Sequence, residues 1–410
     1  MEVMSEVIVA QTALPPGWER LELSEFAEKS SRKFYPNTTT EPTVCVELEH
    51  VSQVTGQLIG TTQTTPQSST KNAFTQGEVI FGKLRPYLRK YLRPKFDGVC
   101  SSEFWVLRGK PKKCLNEFLF YLVQSEPFVQ ACAKTTGSKM PRADWDLVQE
   151  QPFLLPPKSE QQRIATILSA CDRAIEGTAL LLEKQEKRKK ALTNDLLHLN
   201  SLSIPKGWAM REVGDFVSAL ESGVSVNSTG DDKLGSTKRI LKTSAVFNGE
   251  FYPEKNKIIT KADEKRAKLN PRANAIIISR MNTVELVGQS GYVRESSTDV
   301  YLPDRLWQTV FRDENALSVK WLSYYLSSDR VRSSIRNAAS GTSGSMKNIA
   351  QEAFLKIPVL APPVAKQHTI ARILETADKE IKLLRQQHKL LQQQKKGLMQ
   401  RLLTGQPFTN

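Results

Sequence analysis

Residues 154–176 read LLPPKSEQQRIATILSACDRAIE, and residues 360–382 read LAPPVAKQHTIARILETADKEIK. The second stretch restates the first 206 positions later, in register. Each opens on a proline pair, which ends an extended run because proline has no backbone donor for a ladder. Ser159 then stands where it would cap a helix. Alternating steps of four and three residues pick out Ile164, Leu168, Cys171, Ile175, Thr178, Leu182, Gln185, Lys189, Leu192, Leu196 and Leu199. The second stretch gives Ile370, Leu374, Ala377, Ile381, Leu384, His388, Leu391, Lys395, Leu398 and Leu402. Eight positions of each set are apolar, and neither helix has an internal proline. A seam of this period predicts a coiled coil. At 1.5 Å per residue, each helix would be roughly 60 Å long. Lys189 and Lys395 fall at equivalent seam positions. Two readings are open for them: a polar residue that fixes register at a cost in stability, or a side chain that extends its charge to the surface.

The repeat organises the whole chain. Leu14-Pro15-Pro16-Gly17-Trp18 with Phe26 returns as Ile204-Pro205-Lys206-Gly207-Trp208 with Phe216. Phe118-Leu119-Phe120-Tyr121 returns as Trp321-Leu322-Ser323-Tyr324, and Gly137-Ser138-Lys139-Met140 as Gly344-Ser345-Met346. The order is a globular unit (1–157), a helix (158–203), a second globular unit (204–363) and a second helix (364–410). If the halves are related by a pseudo-twofold axis, the helices pair antiparallel. The expected fold is therefore α+β: two β-rich units joined by two long helices forming an antiparallel coiled coil, with an internal pseudo-twofold repeat. Such a helix pair is a spacer. Two short DNA sequences at a set separation would suit it, because half-site spacing is geometric.

Composition narrows the partner. The chain has 410 residues, room for more than one core. Its net charge is +15 and its pI about 9.5, which favours a polyanion such as nucleic acid. By segment the net charge is +1, +2, +6 and +6, yet residues 83–113 hold ten basic residues against two acidic. Five scattered cysteines and no C-x-x-C pair point to a reducing cytoplasm. No apolar run approaches the length of a membrane span, and the N-terminus lacks the pattern of a signal peptide.

Within the globular units, residues 78–81 and 275–279 read as buried strands, and 104–107 and 307–311 as later strands. Polar stretches at 52–71 and 221–238 read as loops, where recognition residues usually lie. The leading DNA-binding candidate is FGKLRPYLRKYLRP, residues 81–94. There Lys83, Arg85, Arg89 and Lys90 interleave with Tyr87. Arginine reaches guanine edges or phosphates, and most such hydrogen bonds go to the backbone. The alternative is a strand and turn with solvated basic side chains. In the second unit the matching strand ends in Ser279-Arg280-Met281-Asn282, which nominates Arg280 and Asn282. The Gly-Ser turns add Lys139, Arg142 and Lys347, since glycine-rich backbone approaches phosphate closely. A plain helix C-cap explains those glycines as well.

Catalytic signatures are missing. There is no phosphate-binding loop, no H-E-x-x-H, no cysteine–histidine cluster and no Asn-Pro-Pro-Tyr. Asp263-Glu264-Lys265 reads as a charge run rather than a nuclease core.

Taken together, Phe81-Gly82-Lys83-Leu84-Arg85-Pro86-Tyr87-Leu88, Cys100-Ser101-Ser102-Glu103-Phe104 and both Pro-Pro-x-x-x-Gln helix openings resemble the specificity (S) subunit of type I restriction–modification systems. The duplicated unit–helix order carries the resemblance end to end. It implies two target recognition domains, each reading half of a bipartite asymmetric site in double-stranded DNA. It also implies helices that set the spacing and dock two methyltransferase (M) subunits, with restriction (R) subunits added where the system cleaves. The chain would then be no enzyme and would bind no cofactor. S-adenosylmethionine, ATP and Mg would sit on the partner subunits, and the assembly would be cytoplasmic, prokaryotic and nucleoid-associated. Arg280-Met281-Asn282 departs from the Lys-Leu-Arg-Pro-Tyr tract, as a domain reading other bases would. A coiled-coil adaptor with incidental basic charge is the competing class.

Overall fold

The computed structural model describes residues 14–38, 41–65, 68–134, 140–197, 204–229, 237–341 and 346–405. The chain forms two compact units. One comprises Met1–Ala179 with Gln386–Asn410, the other Leu180–Arg385. The central helix spans Lys158–Leu197 and the C-terminal helix Val364–Thr404. Each helix gives its first part to one unit and its last part to the other.

In the first unit, the Pro-Gly-Trp turn is closed by the Trp18 amide donating to the Pro15 carbonyl at 3.0 Å. Gly17 has φ +79°, and a Cβ there would meet Pro157 Cγ at 2.9 Å. Only glycine combines that conformation with that close approach. The strand Glu19–Glu22 then pairs antiparallel with Pro152–Leu155, directly before the helix. A four-stranded sheet runs in the order Ala27–Lys29, Phe104–Gly109, Val79–Gly82, Tyr91–Leu92. A five-stranded sheet runs Lys33–Phe34, Lys71–Phe74, Gly98–Ser101, Val44–Val46, Thr62–Gln63.

The strand Val79–Gly82 is buried throughout because it separates two cores. Val79 and Phe81 join a cluster with Trp105, Phe118, Phe128 and Ile164. Ile80 joins another with Val46, Phe74 and Phe104. Side chains alternate across a strand, so a run apolar at every position needs apolar partners on both faces.

The second unit repeats this plan. Gly207 has φ +83° and lies against Pro363, and Ala209–Glu212 pairs with Pro358–Ala361. A six-stranded sheet runs Val217–Ser222, Leu306–Phe311, Ile276–Ser279, Ser290–Tyr292, Gly249–Phe251, Val246–Phe247. A four-stranded sheet carries Ser228–Thr229, Asn256–Ile259, Arg239–Leu241 and Val300–Tyr301. Ile276 and Ile278 face one core, and Ile277 faces the other.

The helices run antiparallel. In the first unit, Ile164 and Leu168 near the start of the central helix share a core with Leu398, Leu402 and Leu403 near the end of the C-terminal helix. In the second, Leu192, Leu196 and Leu197 share a core with Ile370 and Leu374. None of the seam residues Ile164, Leu168, Ile175, Leu182, Leu192, Leu196, Ile370, Leu374, Ile381, Leu391, Leu398 and Leu402 is exposed. Leu199 lies outside the described residues.

One expectation is corrected. Ser159 does not cap the central helix, which already begins at Lys158. The start of the helix is anchored instead by the Gln161 side chain. Its amide donates to the carbonyls of Pro156 at 2.9 Å and Lys113 at 2.8 Å, and accepts from the Leu115 amide at 2.9 Å. Gln367 donates to the Pro362 carbonyl at 2.9 Å and accepts from the Ser318 amide at 2.9 Å. Both glutamines are buried. The Pro-Pro-x-x-x-Gln spelling thus ties each helix to the loop beneath it.

Candidate nucleic-acid interface

The basic tract of the first unit sorts by what its side chains already hold. Arg89 pairs with Glu126 and donates to the Gln124 carbonyl at 3.3 Å. Lys90 donates to the Leu48 carbonyl at 2.5 Å, and Arg93 pairs with Glu117. These side chains hold the tract in place. Tyr91 is buried with its hydroxyl on the Val54 carbonyl, and burial pushes its phenol pKa up. Lys83 and Arg85, by contrast, make no side-chain hydrogen bond or ion pair among the described residues. Arg85 is exposed, and Tyr87 is 56% exposed. Between them Pro86 begins a single 3-10 turn, Pro86–Leu88, flanked by Arg85 at φ +51° and Arg89 at φ +50°. Two non-glycine residues in left-handed backbone are a local strain that the surroundings must hold.

A backbone junction holds it. The Lys83 amide donates to the Glu103 carbonyl at 2.9 Å, the Ala143 amide to the Lys83 carbonyl at 2.9 Å, and the Arg85 amide to the Pro141 carbonyl at 2.7 Å. Leu84 bridges Arg142. The junction brings Lys83 and Arg85 beside Arg142, whose guanidinium grips Glu103 in two bonds of 3.1 and 3.3 Å. Lys139 lies outside the described residues.

The second unit builds the same junction from other residues. The Arg280 amide donates to the Arg305 carbonyl at 3.1 Å, and the Ile349 amide to the Arg280 carbonyl at 3.0 Å. Met281 pairs with Asn348, and Asn282 with Lys347. The Lys347 ammonium donates to the Gly341 carbonyl at 3.2 Å. Asn282 is held locally, donating to Ser279 Oγ at 3.2 Å and accepting from the Thr283 amide at 2.9 Å. Arg280 Nε and Asn348 Oδ1 are buried and unpartnered among the described residues. A buried orphan donor and acceptor cost free energy until something satisfies them. Sequence reading missed Arg305 and Asn348, and named Glu103 only within the stretch Cys100-Ser101-Ser102-Glu103-Phe104. The repeat held the signal, because each aligns with a junction residue of the other unit.

Upstream, Asp263 accepts from the Asn227 amide at 2.7 Å and pairs with Arg266 at 2.9 Å. The Asn227 amide above all holds its carboxyl below the usual range. It staples a loop, in keeping with the charge-run reading. Lys257, Lys261, Lys265 and Lys268 stand exposed around it. Among the described residues no group of His, Cys, Asp or Glu could hold a metal, and no helix is long and apolar enough to cross a membrane.

The seam lysines do not extend to the surface. In the first unit, the Lys395 ammonium lies 2.6 Å from Asp172 Oδ1 and 3.1 Å from Gln124 Oε1. Tyr121 donates its hydroxyl to Asp172 Oδ2 at 2.9 Å, and its ring lies under Lys395, 5.5 Å from the ammonium. In the second unit Lys189 pairs with Asp378, Tyr324 donates to Asp378 Oδ2 at 2.7 Å, and the Tyr324 ring lies 5.8 Å from Lys189. Burial first, and the neighbouring aspartate second, push both phenols up, so both stay hydrogen-bond donors. Neither aspartate was singled out in the sequence, although each recurs at the same place in the repeat.

Comparison with known proteins gives a consistent result. The profile of the type I restriction modification DNA specificity domain matches residues 15–185 and again 205–393. The MjaVIII type I restriction enzyme specificity subunit of Methanocaldococcus jannaschii is 24% identical over 354 residues, 80% of this chain and 76% of that subunit. The EcoDI specificity subunit of Escherichia coli is 27% identical over 194 residues, 45% of this chain and 40% of its own length. A structure described as the basis of complex assembly and conformational transition of the type I R-M system superposes with a TM-score of 0.60 at 18% identity. It covers 97% of this chain and all of the other. The type I restriction-modification S subunit from M. genitalium gives 0.57 at 13% identity, covering 96% of this chain and 97% of its own.

Proposed function

The chain belongs to the type I restriction modification DNA specificity family, and we propose how its two recognition units divide the work. Each reads one half of a bipartite, asymmetric site in double-stranded DNA. Lys83, Arg85, Tyr87 and Arg142 form the reading edge of the first unit, and Arg280, Asn282 and Lys347 that of the second. The antiparallel helices set the separation of the half-sites and dock two methyltransferase subunits. Restriction subunits join where the system cleaves. The chain itself performs no chemistry. Methyl transfer from S-adenosylmethionine, and translocation and cleavage with ATP and Mg, belong to the partners.

One observation carries this reading: the same backbone junction is built twice and dressed with different side chains. A shared scaffold with divergent tips suits two readers of unlike sequences. Bases are read by side-chain edges, whereas backbone contacts position the protein. Methylome sequencing of the host, with and without this gene, tests it. The expected result is a two-part methyladenine motif that disappears with the gene. An unchanged methylome would favour the coiled-coil adaptor.

A further inference from the structure

We propose that the two Tyr–Asp–Lys groups, Tyr121–Asp172–Lys395 and Tyr324–Asp378–Lys189, are the positioning residues that fix the axial register of the spacer helices. Through that register they fix the number of base pairs between the half-sites. The inference rests on the two-reader function above.

An apolar seam alone does not specify its own register. Sliding one helix by seven residues, about 10.5 Å, sets seam positions against seam positions again. The seam lysines remove that freedom. Each helix carries a lysine at one described seam position, and each lysine faces an aspartate that stands next to the seam on the opposite helix. A slip of one heptad would separate each half-buried lysine from its aspartate and leave both charges without their partners, which costs free energy. Asp172 and Lys189 are separated by 17 residues on the central helix, and Asp378 and Lys395 by 17 on the C-terminal helix. One register therefore satisfies both pairs at once, without a stutter.

The tyrosines extend the lock beyond the helices. Each aspartate offers one oxygen to the lysine and the other to a tyrosine from the short helix of its own globular unit. Helix register is thereby coupled to the position of the reading edge. An ion pair that served stability alone would not need the third member, nor its repetition in the second unit.

The test uses the full chain with its methyltransferase partners in the host, read by methylome sequencing. The variants are Asp172→Lys with Asp378→Lys, and those two combined with Lys395→Asp and Lys189→Asp. Asp172→Asn with Asp378→Asn serves as a milder pair. The wild type should direct one spacing. The reversed or neutralised pairs should methylate sites whose spacer differs by up to about three base pairs, the length of one heptad at 3.4 Å per step. Both half-site sequences should stay as they were, and the fourfold exchange should return the single wild-type spacing. If the reversed chain fails to assemble, the Asn pair reads the same quantity. An unchanged single spacing in the Asn pair, or no recovery in the fourfold exchange, overturns the proposal. A wild type that directs no two-part motif removes the underlying reading instead, and the lock falls with it.

Discussion

Arg85 and Arg89 share left-handed backbone, yet only Arg89 has its side chain tied to the fold. That difference sets Arg85 apart from Arg89 within five residues. A released phosphate counterion should make Arg85 visible in the salt dependence of binding. We expect Lys83→Ala and Arg85→Ala each to weaken DNA binding and to lower the slope against log salt by about 1. Arg85→Gly should lose binding in the same way while leaving the fold as stable or more so, because glycine relieves the strained φ. Arg89→Ala should instead lower stability by about 1 kcal/mol, the scale of a partly exposed ion pair. Anisotropy titrations over a salt series, beside thermal unfolding, check both. A slope unchanged in Arg85→Ala would remove that tip from the interface.

The helices show which positions carry energy. Ile164 and Leu374 are fully buried, while Leu383 is 64% exposed. Ile164→Ala or Leu374→Ala should cost about 2–5 kcal/mol, and Leu383→Ala no more than about 0.5 kcal/mol. Denaturant unfolding of the full chain tests this; equal losses would mean that Leu383 packs as a seam residue. The seam was legible because its period is a local property of the string. The strands at 78–81 and 275–279 were legible because two-sided burial writes a continuous apolar run. Their neighbours were not. The parallel pairing of Val44–Val46 with Gly98–Ser101 joins residues far apart in sequence, and no local pattern announces it. The helix cap was misjudged for a related reason. Ser159 looks like a cap in isolation, but it lies inside the helix, whose start Gln161 anchors to a loop more than forty residues upstream. Likewise the basic tract was legible as a candidate, whereas the division of its members followed from Glu126, Glu117 and the Leu48 carbonyl, which stand apart from it.

At the scale of the whole molecule, each recognition unit enters and leaves through a short paired ladder, Glu19–Glu22 with Pro152–Leu155 and Ala209–Glu212 with Pro358–Ala361. The two larger sheets of each unit lie between the two ends of its ladder. Replacing residues 14–156 by the equivalent segment of a divergent relative should therefore change one half-site of the methylated motif and leave the other. A change in both halves would show that the units do not read independently.

The first unit also has an unusual history during synthesis. Its core includes Leu402 and Leu403, and a Cβ at Gly405 would come within 2.8 Å of Pro15. The second unit draws only on Leu180–Arg385. Domains generally fold in the order in which they leave the ribosome. Here the unit whose synthesis begins first is completed last, after the other has every residue it needs. Until residue 403 is made, the first reading head lacks two side chains of its own interior.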